Sequence, residues 1–257
     1  MQNFFIRITF YLLLLNSQNS LAQNAVFIKQ GHIEFQERVN SYAYLEQLVN
    51  TDESESQSQS IIENYKQLYP QFISITSTLY FNEEKTLYQS PDIASTEMNW
   101  VKQYIPQNTV WNNLLNHQSI SQKKLYEDAF LVSDSTREIQ WKITDETREI
   151  AGFHCHRANA VIMDSVYVVA FYTDEIIPKG GPESFTGLPG MILGVVLPHD
   201  HITWFAVKVF SGDNTKQQLS PPTKGKPINN GELKMKIDEI LKRFKGKINW
   251  VQKSILL

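Results

Sequence analysis

Two short histidine clusters contain the side chains of this sequence that are best suited to chemistry. The first is the run His154, Cys155, His156, and the second is the run His199, Asp200, His201. Imidazoles and a carboxylate that converge from two hairpins could hold a zinc ion with one coordination position left open. One hypothesis is therefore a metal-dependent hydrolase that uses His154, His156, His199 and Asp200 or His201.

The spacing of these residues also fits an interpretation without a metal. Alternate residues of a strand face the same side, so His154 and His156 would share a face opposite Cys155. No His-Glu-x-x-His motif occurs in the sequence, and no two of these residues have the i, i+4 spacing of a helical ligand pair. The sequence favours this simpler interpretation, in which the histidines lie on a sheet face and in a turn and no metal or cofactor is bound.

The other catalytic groups are equally weak candidates. A reactive cysteine needs a base and an electropositive pocket, whereas Cys155 is better placed as a small buried hydrophobic residue. The sequence has no Gly-x-Ser-x-Gly elbow. The adjacent acids at residues 145–146 and 174–175 are typical of solvated turns, and nothing fixes the carboxyl separation that glycoside cleavage requires. We therefore assign no catalytic residue.

An alternating apolar pattern predicts that a β-sheet positions these groups. Ile33, Phe35 and Val39 fall on one side of a strand, and mostly polar residues fall on the other. A hairpin is predicted for residues 72–88, whereas residues 89–120 have no clear pattern.

The strongest sheet signal lies between residues 129 and 210. Residues 139–143 alternate, a turn is predicted at residues 144–147, and residues 150–163 form the returning strand. Further strands are predicted for residues 166–173 and for a hairpin at residues 191–210. Consecutive strands joined by short turns favour an antiparallel sheet.

A last helix is predicted for residues 232–245 because Leu233 and Ile237 begin an apolar stripe at helical spacing. The predicted fold class is therefore mainly β, as a curved antiparallel sheet or half-barrel with a C-terminal amphipathic helix packed on it.

The first 22 residues are typical of a cleavable secretory signal peptide. An apolar run at residues 8–15 is too short to span a bilayer as a helix, and Ser20 and Ala22 supply the small side chains that signal peptidase requires at the −3 and −1 positions. We expect cleavage after Ala22, a single mature domain at residues 23–257 and a periplasmic or secreted location. Cys155, the only cysteine, does not follow the cleavage site, so neither a lipoprotein nor an intramolecular disulfide is predicted.

The composition restricts the partners of this mature domain. The formal net charge is −3 for the full sequence and about −4 once the leader with Arg7 is removed, which argues against nucleic acid and against an anionic membrane surface. No segment after the leader approaches the length of a transmembrane helix. Residues 51–60 are acidic and serine-rich and have no apolar side chain to bury, so a mobile loop is predicted there.

A glycine- and proline-rich stretch, here called the motif loop (residues 180–190), is the most distinctive motif. It contains Gly180, Gly181, Pro182, Phe185, Gly187, Leu188, Pro189 and Gly190. Glycine permits a positive φ or a close approach of two backbones, and proline fixes a turn. We predict that the motif loop folds tightly onto the sheet and is the most promising region for ligand binding.

The motif loop and its surroundings resemble the GLPGLI family, a group of exported proteins found chiefly in the Bacteroidota and without an assigned function. The resemblance extends over nearly the whole mature chain and includes residues 79–82, 141–143, 146–155 and 171–173. Met191 replaces a leucine of the name motif, and Phe171 stands where tryptophan is common. Some members are similar to the bowl-like N-terminal domain of a bacterial deglycosylating enzyme, a non-catalytic accessory domain, so the resemblance implies a bowl-like sheet.

These observations predict an exported, non-enzymatic binding or cell-envelope protein that uses the concavity of a curved sheet. The ligand is left open among a lipid, a glycan and an envelope protein. The alternatives are the metal-dependent hydrolase described above and a purely structural partner in an envelope assembly.

Overall fold

The structure is a computed structural model that describes residues 27–49, 55–91, 99, 101–102, 105–125, 128–163, 165–212, 219–243 and 255–257. Within these residues, twelve β-strands form one sheet, accompanied by three α-helices. The predicted signal peptide, residues 1–22, lies outside the described residues.

The strands are β1 (Gly31–Asn40), β2 (Phe72–Phe81), β3 (Lys85–Gln89), β4 (Thr109–Asn113), β5 (Gln118–Leu125), β6 (Asp128–Ser135), β7 (Lys142–Ile150), β8 (Phe153–Ile162), β9 (Val166–Thr173), β10 (Met191–Leu197), β11 (Ile202–Ser211) and β12 (Lys226–Ile228). The helices are α1 (Ser41–Val49), α2 (Glu55–Leu68) and α3 (Asn230–Arg243). The predicted fold class, mainly β with a curved antiparallel sheet and a C-terminal helix, is confirmed.

The sheet consists of two meanders that meet at β1. The strand order is β12-β6-β5-β4-β3-β2-β1-β11-β10-β9-β8-β7. The first meander is β2–β6, extended by the short edge strand β12, and the second meander is β7–β11. Every pairing is antiparallel except that of β12 with β6. Because β1 is central, its inward side chains contact elements of both meanders.

The alternation of β1 places its apolar residues in the core. Ile33, Phe35 and Val39 are fully buried, and the register sets Phe35 opposite Ser77 of β2 and Ala206 of β11. We use "inner face" for this core side of the sheet throughout. Helix α3 packs near β6 and buries Leu233 and Ile237, as its apolar stripe predicts.

The turn of the β7–β8 hairpin lies at Ala151 and Gly152, so the turn predicted at residues 144–147 is wrong. Residues 144–147 belong to β7, whose register with β8 shifts between Ile143 and Thr147. The φ angles of the two turn residues are 51° and 84°. A two-residue turn with positive φ at both positions matches the twist of the strands. The polar run therefore reflects an exposed edge strand.

The mobile loop predicted for residues 51–60 is also wrong over its second half. Residues 55–60 form the first turns of α2, and residues 51–54 lie outside the described part. Ile62 and Tyr65 bury the inward side of this helix, which stabilises it despite its polar start. The side-chain amide of Gln59 donates to Glu63 Oε1 at 2.8 Å, an i, i+4 contact on the exposed side.

No helix in the described part of the chain combines the length and the apolar character needed to cross a membrane.

Candidate functional site

The inner face of β4–β6 forms a pocket of about 440 Å³, here called the polar pocket because charged and hydroxyl side chains line it together with apolar residues such as Val110 and Val132. Ser119, Ser121 and Lys123 alternate along β5, so all three side chains face this pocket. Its other walls come from β6, the motif loop and α3 and include Asp134, Ser184 and Lys234. Residues 136–141, here called the strap, connect β6 with β7 and close one side.

Lys123 is the buried cation of this pocket. Only 3% of the residue is exposed, and its Nζ donates to the carbonyl oxygen of Ile255 at 2.7 Å. Burial lowers the pKa of Lys123 to about 8, with a further lowering by Arg137, while the negative charge of Glu183 opposes the change. Below that pH, Lys123 brings a positive charge into the pocket.

Arg137 of the strap supplies a second cation. Its Nη2 donates to the carbonyl oxygen of Leu256 at 2.5 Å. Its buried Nε has no hydrogen-bond partner among the described residues. Burial lowers the pKa of Arg137, yet a guanidinium keeps its charge under ordinary conditions.

Glu183 of the motif loop lies behind the pocket. Its Oε2 accepts a hydrogen bond of 2.9 Å from the side-chain amide of Asn108. Burial raises the pKa of Glu183, while the charge of Lys123 and the hydrogen bond from Asn108 oppose this. Its φ of 50° is uncommon for a residue with a side chain, which indicates that the loop backbone is held by its surroundings.

A second buried acid, Glu37, lies on β1 opposite Trp204 of β11. Burial and the charge of Glu183 raise the pKa of Glu37 well above 4.5, while its interaction with the Trp204 indole opposes the change. Its Oε2, the Trp204 indole nitrogen, the Ser77 hydroxyl and the Tyr88 hydroxyl are all buried, and their polar interactions lie within this group and with Glu183. The inner face thus continues from the pocket into a buried cluster of polar groups.

This arrangement is suited to recognition by hydrogen bonds. The two cations and the serine hydroxyls border the pocket, whereas Glu37 is enclosed in the core and is not among its lining residues. Within the described residues, no group of three or more histidine, cysteine, aspartate or glutamate side chains could hold a metal ion.

The motif loop folds tightly onto the sheet, as predicted. A Cβ added at Gly190 would lie 2.0 Å from the carbonyl oxygen of Thr173, and one added at Gly180 would lie 2.6 Å from Thr86 Cγ2. Gly187 instead needs its φ of 92°. The other members Gly181, Pro182, Phe185 and Leu188 are buried, and Pro189 is exposed. The glycines therefore meet backbone requirements, and a ligand-contacting role for the motif loop stays a prediction.

One end of the motif loop borders a second pocket of about 560 Å³ on the other side of the strap. Its lining includes Leu115, His117, Lys179 and Gly187. The Trp141 indole nitrogen donates to the carbonyl oxygen of Thr186 at 2.9 Å, so the strap is tied to the motif loop between the two pockets.

The two histidine clusters lie toward opposite ends of the second meander. His156 is level with Tyr172 of β9, which pairs with Ile192 near the start of β10. The turn that holds His199, Asp200 and His201 follows Leu197, the last residue of β10. Five residues of strand span about 16 Å, so His154 and His156 do not join His199, Asp200 and His201 in one metal site.

The local prediction for the first cluster is confirmed. The His154 and His156 rings lie on the same side with centroids 5.2 Å apart, and Cys155 is fully buried. Burial, reinforced by the charge of Glu175, raises the pKa of Cys155 to about 12. A raised pKa favours the protonated thiol at neutral pH over the reactive thiolate.

Sequence reasoning missed the polar residues of the inner face. For Glu37 a signal exists, since it has the same parity as Ile33, Phe35 and Val39 on β1. For Lys123 no signal exists, because the inward residues before it on β5 are serines.

The sequence of residues 71–228 matches the family described as N-glycanase peptide, N-terminal domain. The chain belongs to this family. The matched segment runs from just before β2 through the end of β12, so it includes both meanders and the motif loop. No curated protein matches the chain.

Among solved structures, PNGF-II in its P21 crystal form shares the fold with a TM-score of 0.50, 17% sequence identity and coverage of 83% of this chain and 33% of that chain. The C2 form of PNGF-II gives a TM-score of 0.48, 15% identity and coverage of 88% and 33%. An uncharacterized conserved protein from Thermus thermophilus gives a TM-score of 0.38, 7% identity and coverage of 78% and 90%. This chain thus spans 33% of the length of PNGF-II.

Proposed function

We propose that this protein is an exported, non-enzymatic glycan-binding module whose ligand lies in the polar pocket on the inner face of the curved sheet. The observation that carries the proposal is the pocket itself. Its volume of about 440 Å³ falls within the range of small-molecule sites, and hydroxyl and charged side chains converge on it.

The chemistry of the lining favours a glycan over a lipid. A sugar presents many hydroxyl groups, each of which loses hydrogen bonds to water on binding and needs a replacement. Ser119, Ser121, Lys123 and Asp134 offer donors and acceptors on neighbouring strands. A lipid chain would leave these polar groups desolvated without partners, which costs free energy. Membership of a family named after an N-glycanase supports the same choice.

Export and GLPGLI membership belong to the proposal as well. The leader at residues 1–22 supports a periplasmic or secreted location, where glycans of other cells and of the medium are encountered. The motif loop, which carries the GLPGLI resemblance, forms part of the pocket wall through Ser184.

The test is calorimetric titration of the exported chain, purified from a periplasmic fraction. Three probes are compared: an N-glycosylated peptide, the same peptide without its glycan, and the free glycan. We expect the glycopeptide and the free glycan to bind and the bare peptide not to bind. Mass spectra of the glycopeptide after incubation are expected to show no loss of glycan.

A matched pair of variants locates the site. Ser119→Tyr fills the pocket and is expected to abolish binding, whereas Ser133→Tyr lies on the outer face of neighbouring β6 and is expected to leave binding unchanged. Absence of glycan binding, or equal effects of the two variants, would contradict the pocket as a glycan site. Release of the glycan would contradict the non-enzymatic part.

A further inference from the structure

Residues 255–257 of the chain itself occupy part of the polar pocket. The carbonyl oxygens of Ile255 and Leu256 accept hydrogen bonds from Lys123 and Arg137 respectively. Ile255 and Leu257 are 3% and 2% exposed, so this segment is held inside and not laid over the surface. Two successive main-chain carbonyls therefore serve as the acceptors for the buried Lys123 and the partly buried Arg137.

These acceptors are poorly matched to their donors. A peptide carbonyl is neutral, whereas a hydrogen bond between a cation and an anion is shorter and stronger. Among the described residues, no carboxylate lies within ion-pair distance of Lys123 or Arg137. Glu183 attracts Lys123 electrostatically, but its Oε2 is engaged by Asn108.

The guanidinium of Arg137 shows the mismatch most directly. Its Nε and Nη2 lie along one edge of the planar group, the edge that matches the two oxygens of a carboxylate. In this structure Nη2 holds the carbonyl oxygen of Leu256, and the buried Nε has no partner among the described residues. Ser184 also borders the pocket, and its buried hydroxyl oxygen likewise has no hydrogen-bond partner among the described residues.

We propose that Lys123 and Arg137 form a subsite for an anionic group on the ligand, and that residues 255–257 occupy this subsite until the ligand displaces them. The ligand class is an acidic glycan, in which a carboxylate or a sulfate ester supplies the anionic oxygens. The choice of a glycan as the ligand rests on the proposed function, whereas the inference of an anion subsite rests only on Lys123, Arg137 and their hydrogen-bond acceptors.

Affinity measurements at pH 6.5 and low salt test the subsite. The probes are glucose, glucuronate and glucose 6-sulfate, together with inorganic sulfate and acetate as anions without a sugar. We expect at least one acidic sugar to bind about tenfold or more tightly than glucose, because it gains charge-assisted hydrogen bonds. The two acidic sugars distinguish a carboxylate from a sulfate as the source of the anionic oxygens.

Three variants assign the effect to the cations. Lys123→Met and Arg137→Gln are each expected to lose about tenfold or more in affinity for the acidic sugar, with little change for glucose. Lys124→Met is the control, since Lys124 is the next residue of β5 and faces the other side of the sheet. Thermal melting checks that each variant is folded.

Hydrogen exchange of the unmodified chain provides a readout that needs no variant. Addition of the acidic sugar is expected to raise amide exchange in residues 255–257, and addition of glucose is expected to leave it unchanged. Measurable but equal affinities for glucose and both acidic sugars, or unchanged exchange at residues 255–257 on saturation with a bound acidic sugar, would overturn this inference.

The same measurements separate this inference from the proposed function. If the neutral glycopeptide binds and acidic sugars show no advantage, the anion subsite is wrong and the glycan-binding function stands. If inorganic sulfate releases residues 255–257 while no glycan binds, the subsite stands and the acidic glycan is wrong, together with the proposed function.

Discussion

The two meanders that flank β1 bury different kinds of side chain. In the second meander, the inward positions of β8–β10 carry small or apolar residues such as Ala158, Val168 and Val195. In the first meander, inward positions carry Ser121 and Lys123 alongside apolar residues. Because a buried polar group costs free energy unless it is paired, a sequence that keeps several on one side accepts a cost in stability. The comparison separates a half whose inward face is mainly small and apolar from a half whose inward face also carries hydroxyl and charged groups.

The largest effect is expected at the junction between the second meander and the motif loop. Gly190→Ala would place a Cβ 2.0 Å from the Thr173 carbonyl oxygen, so the two backbones would have to separate. We expect a loss of about 3 kcal/mol or more in the free energy of unfolding, measured by denaturant titration. The control is Gly152→Ala, whose Cβ would meet nothing within 4 Å and whose φ of 84° alone costs about 1 kcal/mol. Equal losses for the two variants would contradict the close-packed junction.

The second effect concerns Glu37, the buried acid that β1 presents to the inner face. Its folded-state pKa is raised well above 4.5 by burial, so the folded state binds this proton more tightly than the unfolded state. The bound proton of Glu37 therefore contributes to the free energy of unfolding below pH 4.5. This contribution is lost as the pH rises through the raised pKa of the folded state. Glu37→Gln is expected to remove this dependence and to raise the free energy of unfolding at pH 7 by about 1 kcal/mol.

The matched control for this change is Glu34→Gln. Glu34 lies on the same strand but on the other face, where its carboxylate is 3.9 Å from Lys208 Nζ. We expect Glu34→Gln to keep the pH dependence that the buried Glu37 contributes to the unfolding free energy. A Glu37→Gln profile with the original slope would show that the acid is not buried as the structure places it.

A third effect, with the opposite sign, is expected from Lys123. Its pKa is lowered from 10.5 to about 8, so the unfolded state binds this proton more tightly between those values. The contribution of Lys123 to the free energy of unfolding therefore increases as the pH rises from about 8 to 10.5. Lys123→Met is expected to remove this increase. Binding of the acidic sugar is expected to weaken over the same range, where Arg137 is the one cation of the pair that stays charged. An affinity that is constant from pH 7 to pH 10 would contradict the role of the Lys123 charge.

The smallest effect is expected from the histidines of the second meander. His154→Ala and His199→Ala remove exposed side chains that lie toward opposite ends of the strands. We expect each to change the free energy of unfolding by less than about 0.5 kcal/mol. Native mass spectra of the unmodified protein, purified without chelators, are expected to show the mass of the polypeptide alone, with no added mass of a zinc ion. A bound zinc that either variant removes would contradict the separation of the clusters.

The sequence predicted the second meander better than the first for a physical reason. Apolar alternation in residues 166–173 and 191–210 follows from burial of one face, and the structure confirms these strands. The strands β4 and β5 lie in or extend from the region, residues 89–120, where no pattern was visible. Their inward positions include Asn112, Ser119 and Ser121, so the period-two signal that reveals a strand is weak there.

The position of a turn in the second meander could not be predicted from the sequence either. The polar residues 144–147 look like a turn in the sequence, but edge strand β7 tolerates them because one side of it is exposed. Ala151 and Gly152 carry the turn because their backbone adopts positive φ at both positions. The pairing of β7 with β8 decides which of these two segments forms the turn, and this pairing cannot be read from the local sequence.

The sequence by itself determined the class of the fold, the tight seating of the motif loop and the shared face of His154 and His156. These follow from local rules: alternation of side chains along a strand, and the space that a glycine leaves for a neighbouring backbone. Only the tertiary structure brought Lys123, Arg137 and residues 255–257 together and set the two histidine clusters apart. Alternation tells which face a side chain is on, whereas strand order and register decide what lies opposite. Burial and charge then depend on those neighbours, so the pocket could be found only in the assembled sheet.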